Sequence, residues 1–274
     1  MRSVSQRIAA VLVMLSGAVI GGCSARHINW DNPGAPPGTG FQTKSFEFEG
    51  QRRYYTVFIP YNYDGKTKFP VIMFLHGVLE GGNDGRKCVT VGLGPEVNNR
   101  AATFPFVVVF PQSDTDWQGD YHTRLAMATL DLVLRDYPGT DPDRVFLTGL
   151  SNGGDGTWTV GAAHPERFAG LAPMCSAVNY DDAPRLTRVP IWCFHNTMDP
   201  FRSCGAAREM CDRINRLGGS ARFTEYFEMG HDCWTRAYSE GEVFDWMLSL
   251  RRGAPLPDAA KPVAGRASDA SRAP

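Results

Sequence analysis

Apolar and polar residues change rhythm several times along this chain, and each change marks an element. FQTKSFEFEGQRRYYTVFIP (residues 41–60) alternates the two in runs on either side of Glu49-Gly50, which predicts an opening β-meander. FPVIMFLHG (69–77) and FPFVVVFPQ (104–112) are unbroken apolar runs, the pattern of strands covered on both faces. Between His122 and Tyr137 the side chains Ala126, Leu130, Val133 and Leu134 recur at helical spacing. RVFLTGLS (144–151) reads as the next strand, with a helix after Ser151, and FAGLAPMCS (168–176) and VPIWCFHN (189–196) read as two more. GAAREMCDRINRLGG (205–219) reads as a helix stopped by its glycine pair. ARFTEYFE (221–228) ends the strands, and CWTRAYSEGEVFDWMLSLRR (233–252) reads as one closing helix. Strand and helix in alternation predict an α/β fold: a mainly parallel sheet with helices on both faces. In such sheets the chemistry gathers at the carboxyl ends of the strands.

The two ends of the chain break this pattern. Arg2 and Arg7 precede an apolar stretch from Ile8 to Ile20, too short to span a bilayer. It ends in Ile20-Gly21-Gly22-Cys23, which resembles the lipobox of bacterial lipoproteins, whose cysteine is lipidated and becomes the mature N-terminus. The alternative is ordinary signal cleavage after Ala25 and a soluble exported protein. With Ser24 after the cysteine, the resemblance points to the outer membrane if the host is Gram-negative. Residues 23–40, with NWDNPGAPPGTG, read as a flexible tether. Residues 41–252 hold one catalytic-sized domain, and 253–274, rich in Ala, Pro, Arg and Asp, read as a disordered tail.

Composition narrows the function by exclusion. With 43% hydrophobic and 21% charged residues and a net charge of −1, the chain is an ordinary globular protein. It lacks the basic run or excess that nucleic-acid binding needs. Beyond Cys23 there are Cys88, Cys175, Cys193, Cys204, Cys211 and Cys233, with no CxxC spacing to suggest zinc or redox work. In an oxidising compartment disulfides are expected, and six cysteines allow 15 pairings. A Cys204–Cys233 bridge would tie together the two loops discussed next, whereas Cys175 and Cys193, inside apolar runs, also read as small buried hydrophobes.

Gly149-Leu150-Ser151-Asn152-Gly153 stands where a buried strand gives way to a helix. Five residues alone are a weak signal, but a strand before and a helix after make it specific. A reversal that tight leaves no room for side chains two residues either side of the serine, and the serine is held strained and exposed above the sheet. A glycine-rich connection with no chemistry is the bland reading. A serine hydroxyl needs a base. Of the six histidines, His27 lies in the tether, His122 and His164 near helix ends, His76 at a turn, and His195 beside the acid candidate. His231, after the last strand, completes the order Ser, acid, His. Asp199, in HNTMDP after VPIWCFHN, is the acid that would orient it; Asp181 and Asp182 are alternatives, and Asp199-Pro200 also suits a plain turn. For the oxyanion hole the candidates are the N–H groups of Asn152 and of Val78, the latter in FLHGVLEGGNDG. Trp117 and Trp234 are pocket candidates, although such residues more often fill cores.

FLHGVLEGGNDG, VGLGP, VFLTGLSNGGDGTW, HPERFAGLAPMC, PIWCFHNTMDP and FTEYFEMGHDCW together resemble a bacterial α/β-hydrolase family of predicted peptidases. That family is related to feruloyl esterases and polyhydroxybutyrate depolymerases. The resemblance covers roughly residues 41–251. It implies the α/β-hydrolase fold, a triad of Ser151, Asp199 and His231, and no metal or organic cofactor. The sequence departs from the family at Asp155, where an aromatic is usual, at Asn196 in place of a glycine, and at the bulky Val78-Leu79. These departures bear on substrate identity more than on reaction type, and for Asp155, one helical turn from Ser151, a solvated helix residue is the bland alternative. The expected activity is hydrolysis of carboxylic esters through an acyl-enzyme. Peptide hydrolysis or depolymerisation of a polyester or feruloyl ester is the rival of the same fold, and a non-catalytic binding lipoprotein is the rival of another class. The expected partners are a small-molecule or polymer ester and, through a lipid anchor only, a membrane.

Overall fold

The computed structural model describes residues 26–259. The signal segment, the lipidation candidate Cys23 and the last part of the tail fall outside the described residues. Among the described residues no helix is long and apolar enough to cross a membrane.

Eight strands form one sheet in the order β1-β2-β4-β3-β5-β6-β7-β8. β1 (Gly40–Phe48) and β2 (Gln51–Ile59) make an antiparallel hairpin closed by Glu49 and Gly50, both with positive φ (48° and 77°). Two such residues fit a turn whose twist matches the strands. β2 pairs antiparallel with β4 (Val107–Pro111). From β4 onward the pairs are parallel, through β3 (Phe69–Leu75), β5 (Thr140–Leu150), β6 (Gly170–Met174), β7 (Ile191–Met198) and β8 (Ala221–Met229).

The apolar runs are explained by cover on both faces. Every residue of β3 is buried. Ile72 and Phe74 join one core with Phe110, Phe146 and Trp246, whereas Val71, Met73 and Leu75 join the other with Val145, Leu147 and Trp158. At about 1.5–3 kcal/mol for each large side chain removed from water, these two layers drive the fold. On one face lie α1 (Leu93–Asn99), α5 (Trp234–Glu240) and α6 (Glu242–Ser249); on the other lie α2 (Gly119–Asp136), α3 (Asn152–Ala163) and α4 (Cys204–Arg216).

Three expectations change. The single closing helix is two, because Gly241 takes a left-handed conformation (φ 81°) between α5 and α6. The tether expected over 23–40 is packed in its described part. Ile28 is buried, Trp30 stands edge-on to Phe41, and Asn32 Oδ1 accepts the Phe41 N–H at 2.7 Å. Polar spacing hid the fact that two apolar side chains, Ile28 and Trp30, with hydrogen bonds from Asn29 and Asn32, suffice to anchor the stretch. The start of the expected tail is also held, since Ser220 Oγ donates to Pro257 O at 2.6 Å.

Candidate active site

Ser151 joins β5 to α3 with φ 53° and ψ −120°. A non-glycine residue in that region carries roughly 1–3 kcal/mol of strain and persists only where its surroundings fix it. They do: its N–H donates to Met174 O at 3.0 Å, and its carbonyl accepts from Asp155 N at 2.9 Å. The flanking glycines are required by close approach. A Cβ on Gly153 would run into the carbonyl oxygens of Leu75 and His76, and one on Gly149 would meet Leu75 O at 2.7 Å. With α3 pressed against the end of β3, the serine is 9% exposed at the strand ends.

His231 follows β8 and meets Asp199, which follows β7. Nδ1 donates to Asp199 Oδ2 at 2.7 Å, and the carboxylate side chain is 0% exposed. Asp199 Oδ1 accepts from the N–H groups of Phe201 (2.8 Å) and Arg202 (3.1 Å). Burial alone would raise this acid. The hydrogen bond and charge of His231, with those two N–H groups, outweigh it and hold Asp199 below the ordinary carboxylate range. A fixed anion on Nδ1 keeps the proton there and leaves Nε2 as the acceptor, the tautomer a general base needs. The imidazole is framed by the rings of Phe201 and Trp234, each 5.3 Å away. Asp199 and His231 are therefore brought together. No hydrogen bond joins His231 to Ser151 Oγ among those the described residues make; in unliganded enzymes that contact is often long.

The loop after β3 crosses the end of β5. A Cβ on Gly77 would press on Leu150 Cδ1 at 2.8 Å, so Val78 lies next to the serine's own strand end. Val78 opens the 3-10 turn Val78–Glu80 and Asn152 opens α3. The first N–H of a helical turn has no acceptor within it, so both are available to an anion. His76 shapes this loop, as its position before a glycine suggested. Its Nε2 accepts from Ser113 N at 3.0 Å, Nδ1 bonds to Gly77 O at 2.7 Å, and its carbonyl accepts from Trp117 Nε1 at 3.0 Å. Burial lowers its pKa to about 4, against the pull of the Gly77 carbonyl, so it stays neutral.

The bland reading of Asp155 as a solvated helix residue does not hold. It is 7% exposed, and its Oδ1 accepts from Ala177 N at 2.6 Å. Arg202 lies against it, with Nη2 2.9 Å from Oδ2, and the same nitrogen donates to Asn152 Oδ1 at 2.9 Å. One guanidinium thus links the first turn of α3 to the loop that carries Asp199. Sequence reasoning missed Arg202, because its partners lie 47 and 50 residues away. The only hint was an acid one helical turn beyond Ser151.

The remaining candidates have other roles. Trp117 is wholly buried against Gly156 and His76, a core residue. Trp234 lines a cavity of about 40 Å³ with Arg26, Thr90 and Glu96, on the flank of His231. Asp181 and Asp182 sit in a 3-10 turn after β6, and the acid that bonds to His231 is Asp199. His122 bonds to Gln118 O and His164 ends α3. His195 is buried, with Nδ1 3.1 Å from Asn196 O and 4.0 Å from Asp199 Oδ2. Burial lowers its pKa, opposed by the Asn196 carbonyl. Cys175, His195 and Asp199 place one ligand atom each within 4.8 Å of one another, a possible metal-binding group among the described residues. Both oxygens of Asp199 are already engaged, by His231 and by the Phe201 and Arg202 N–H groups. The expected Cys204–Cys233 contact does not form: Cys204 Sγ faces Glu225 Oε1 (3.3 Å) and Cys233 Sγ faces Phe194 O (3.5 Å).

Comparison with known proteins follows the same lines. No family model matches the chain. Over 100 residues it is 35% identical to the bifunctional acetylxylan esterase/xylanase XynS20E of Neocallimastix patriciarum, a match that covers 34% of this chain and 15% of that one. Among solved structures, a thermostable esterase superposes with a TM-score of 0.67 at 26% identity, covering 77% of this chain and 63% of its own. An acylaminoacyl peptidase of Pyrococcus horikoshii superposes with a TM-score of 0.63 at 13% identity, covering 79% and 43%, a likeness of fold alone. The chain thus spans about a seventh of the curated relative and under two thirds of the esterase. Sheet order, the serine turn and these superpositions agree: the chain has the α/β-hydrolase fold.

Proposed function

We propose that this protein is a serine hydrolase that cleaves carboxylic esters, with Ser151 as nucleophile, His231 as general base and Asp199 as the acid that orients it. The observation that carries the reading is the covered Asp199 carboxylate on His231 Nδ1 at 2.7 Å, with Ser151 held in its strained turn at the carboxyl end of β5 in the same parallel sheet. His231 Nε2 takes the Ser151 proton as Oγ attacks the ester carbonyl. The N–H groups of Asn152 and Val78 receive the developing oxyanion; losing one such donor costs a few kcal/mol of transition-state stabilisation. Collapse expels the alcohol, protonated by His231, and leaves an acyl-Ser151. Water, deprotonated by the same imidazole, then releases the acid and restores the serine. No metal or organic cofactor enters these steps.

Esters are favoured over peptides because the relative with sequence identity is named for acetylxylan ester cleavage and the 26% identical structure is an esterase. The test is a panel of nitrophenyl esters of graded chain length, feruloyl esters and aminoacyl anilides, run with a fluorophosphonate probe. Ester turnover with probe labelling, both lost in Ser151→Ala, is expected. Anilide cleavage without ester turnover would overturn the ester assignment, and absence of labelling would overturn the enzyme. We further propose that the chain is exported and anchored through a lipid on Cys23. Mass analysis of the mature N-terminus tests this, and an unmodified end beyond Cys23 would remove it.

A further inference from the structure

Six cysteines lie among the described residues, all buried thiols. Two of them converge on one backbone oxygen. The Cys175 N–H donates to Phe194 O at 3.0 Å, and the Cys233 thiol donates to the same oxygen at 3.5 Å. Burial, first, and the neighbouring Cys175 thiol raise the Cys233 thiol well above its ordinary value. Both residues are 0% exposed and belong to the same core layer. Their positions are not neutral with respect to the site. Cys175 follows Met174, whose carbonyl holds Ser151, and stands in a left-handed conformation with φ 46°. Cys233 lies two residues beyond His231, donates its N–H to the His231 carbonyl at 3.2 Å, and begins α5. The other cysteines are occupied elsewhere: Cys88 at Phe110 O, Cys204 at Glu225, and Cys193 beside Cys211 between β7 and α4.

We propose that Cys175 and Cys233 are a disulfide-forming pair, joined while the chain folds in an oxidising compartment, so that the loop bearing His231 is covalently pinned to the strand end that holds Ser151. The oxidant is a dithiol-derived or glutathione-type disulfide. A thiolate of one cysteine attacks it to give a mixed disulfide and one thiol; the second thiolate displaces the other thiol and forms the Cys175–Cys233 bond. Two protein thiols lose their protons and are oxidised by two electrons, and one external disulfide becomes two thiols. Because neither sulfur is exposed in the folded chain, the exchange takes place before α5 docks.

The test uses the full chain refolded from urea in a mixture of reduced and oxidised glutathione, alkylated with N-ethylmaleimide and digested without reduction. A cross-linked peptide pair containing residues 175 and 233 is expected by mass spectrometry. Dithiothreitol is expected to lower the Tm of the oxidised protein by roughly 5–15 °C, and to leave that of Cys233→Ala unchanged. Maleimide on both Cys175 and Cys233, or a link from Cys233 to Cys204, would overturn the proposal, and the peptide map decides this even if the variant does not fold.

Discussion

At the scale of single residues, what was legible is what covalent order and sterics dictate. Ser151 was readable because only glycine fits where Gly149 and Gly153 meet the backbone of Leu75 and His76. The pairing of His231 with Asp199 was readable because each is the first suitable group after its strand. Arg202 was not, since nothing in a sequence ties a loop arginine to an acid on a distant helix. Its role is testable. Removing the guanidinium leaves the buried Asp155 carboxylate with the Ala177 N–H alone and frees the Asn152 side chain. Arg202→Ala is expected to cost about 1–3 kcal/mol in chemical denaturation and to lower kcat more than it raises KM. Arg202→Lys should recover only part of this, because one ammonium cannot serve Asp155 and Asn152 in the same fork. Asp199→Asn should lower kcat by on the order of 10⁴-fold with the fold intact, since the amide favours the wrong imidazole tautomer; circular dichroism beside ester kinetics checks both halves.

At the scale of elements, periodicity located every strand but missed one helix, α1, and read α5 and α6 as one. α1 carries only Leu93 and Val97 as large apolar residues among Gly94, Pro95 and two asparagines, too few to reveal a period. It forms because the core between β3 and the closing helices covers it. The final helix looked continuous because Gly241 interrupts neither charge nor apolar spacing; its left-handed φ makes the break. The loop after β3 owes its shape to His76, which accepts one N–H and serves one carbonyl only while neutral. Its folded pKa, about 4, lies below the ordinary value of 6.5, so the folded state binds fewer protons than the unfolded one. Its contribution is therefore complete above about pH 6.5 and is lost as the pH falls through 4; at 1.36 kcal/mol per unit it amounts to about 3 kcal/mol. His195, also lowered, acts in the same direction. Urea midpoints from pH 7 to pH 4 are expected to fall, and His76→Gln, less stable at pH 7, should show a shallower decline. An unchanged slope in that variant would remove His76 as the acid-sensitive group of the loop.

At the scale of the whole molecule, a parallel sheet gathers the ends of β3, β5, β7 and β8 on one side, and beside the polar groups there stand exposed apolar side chains. Val78 and Leu79, the bulky pair flagged by the sequence, are exposed beside Leu150. Phe201 is exposed and packs on the His231 ring, and Met198 pairs across the sheet with Met229, both exposed, immediately beside Asp199 and Gly230. Sequence showed the bulk of Val78-Leu79 but not that two other segments, Met198 to Phe201 and the end of β8, bring matching side chains to neighbouring strand ends. Exposed apolar groups clustered at a reaction centre favour binding over solvation, and each methylene of a substrate that they shield gains up to about 0.8 kcal/mol. In the reaction proposed above, an acyl group carried by Ser151 extends toward this apolar rim. The ratio of kcat/KM for nitrophenyl butyrate over acetate should therefore exceed one and fall several-fold in Leu79→Ser. The acetate rate itself should change little, because a two-carbon acyl group stays within reach of Ser151 and never extends to Leu79. A variant that slows both esters equally would place Leu79 in the shape of the oxyanion loop instead of in the recognition of the acyl group.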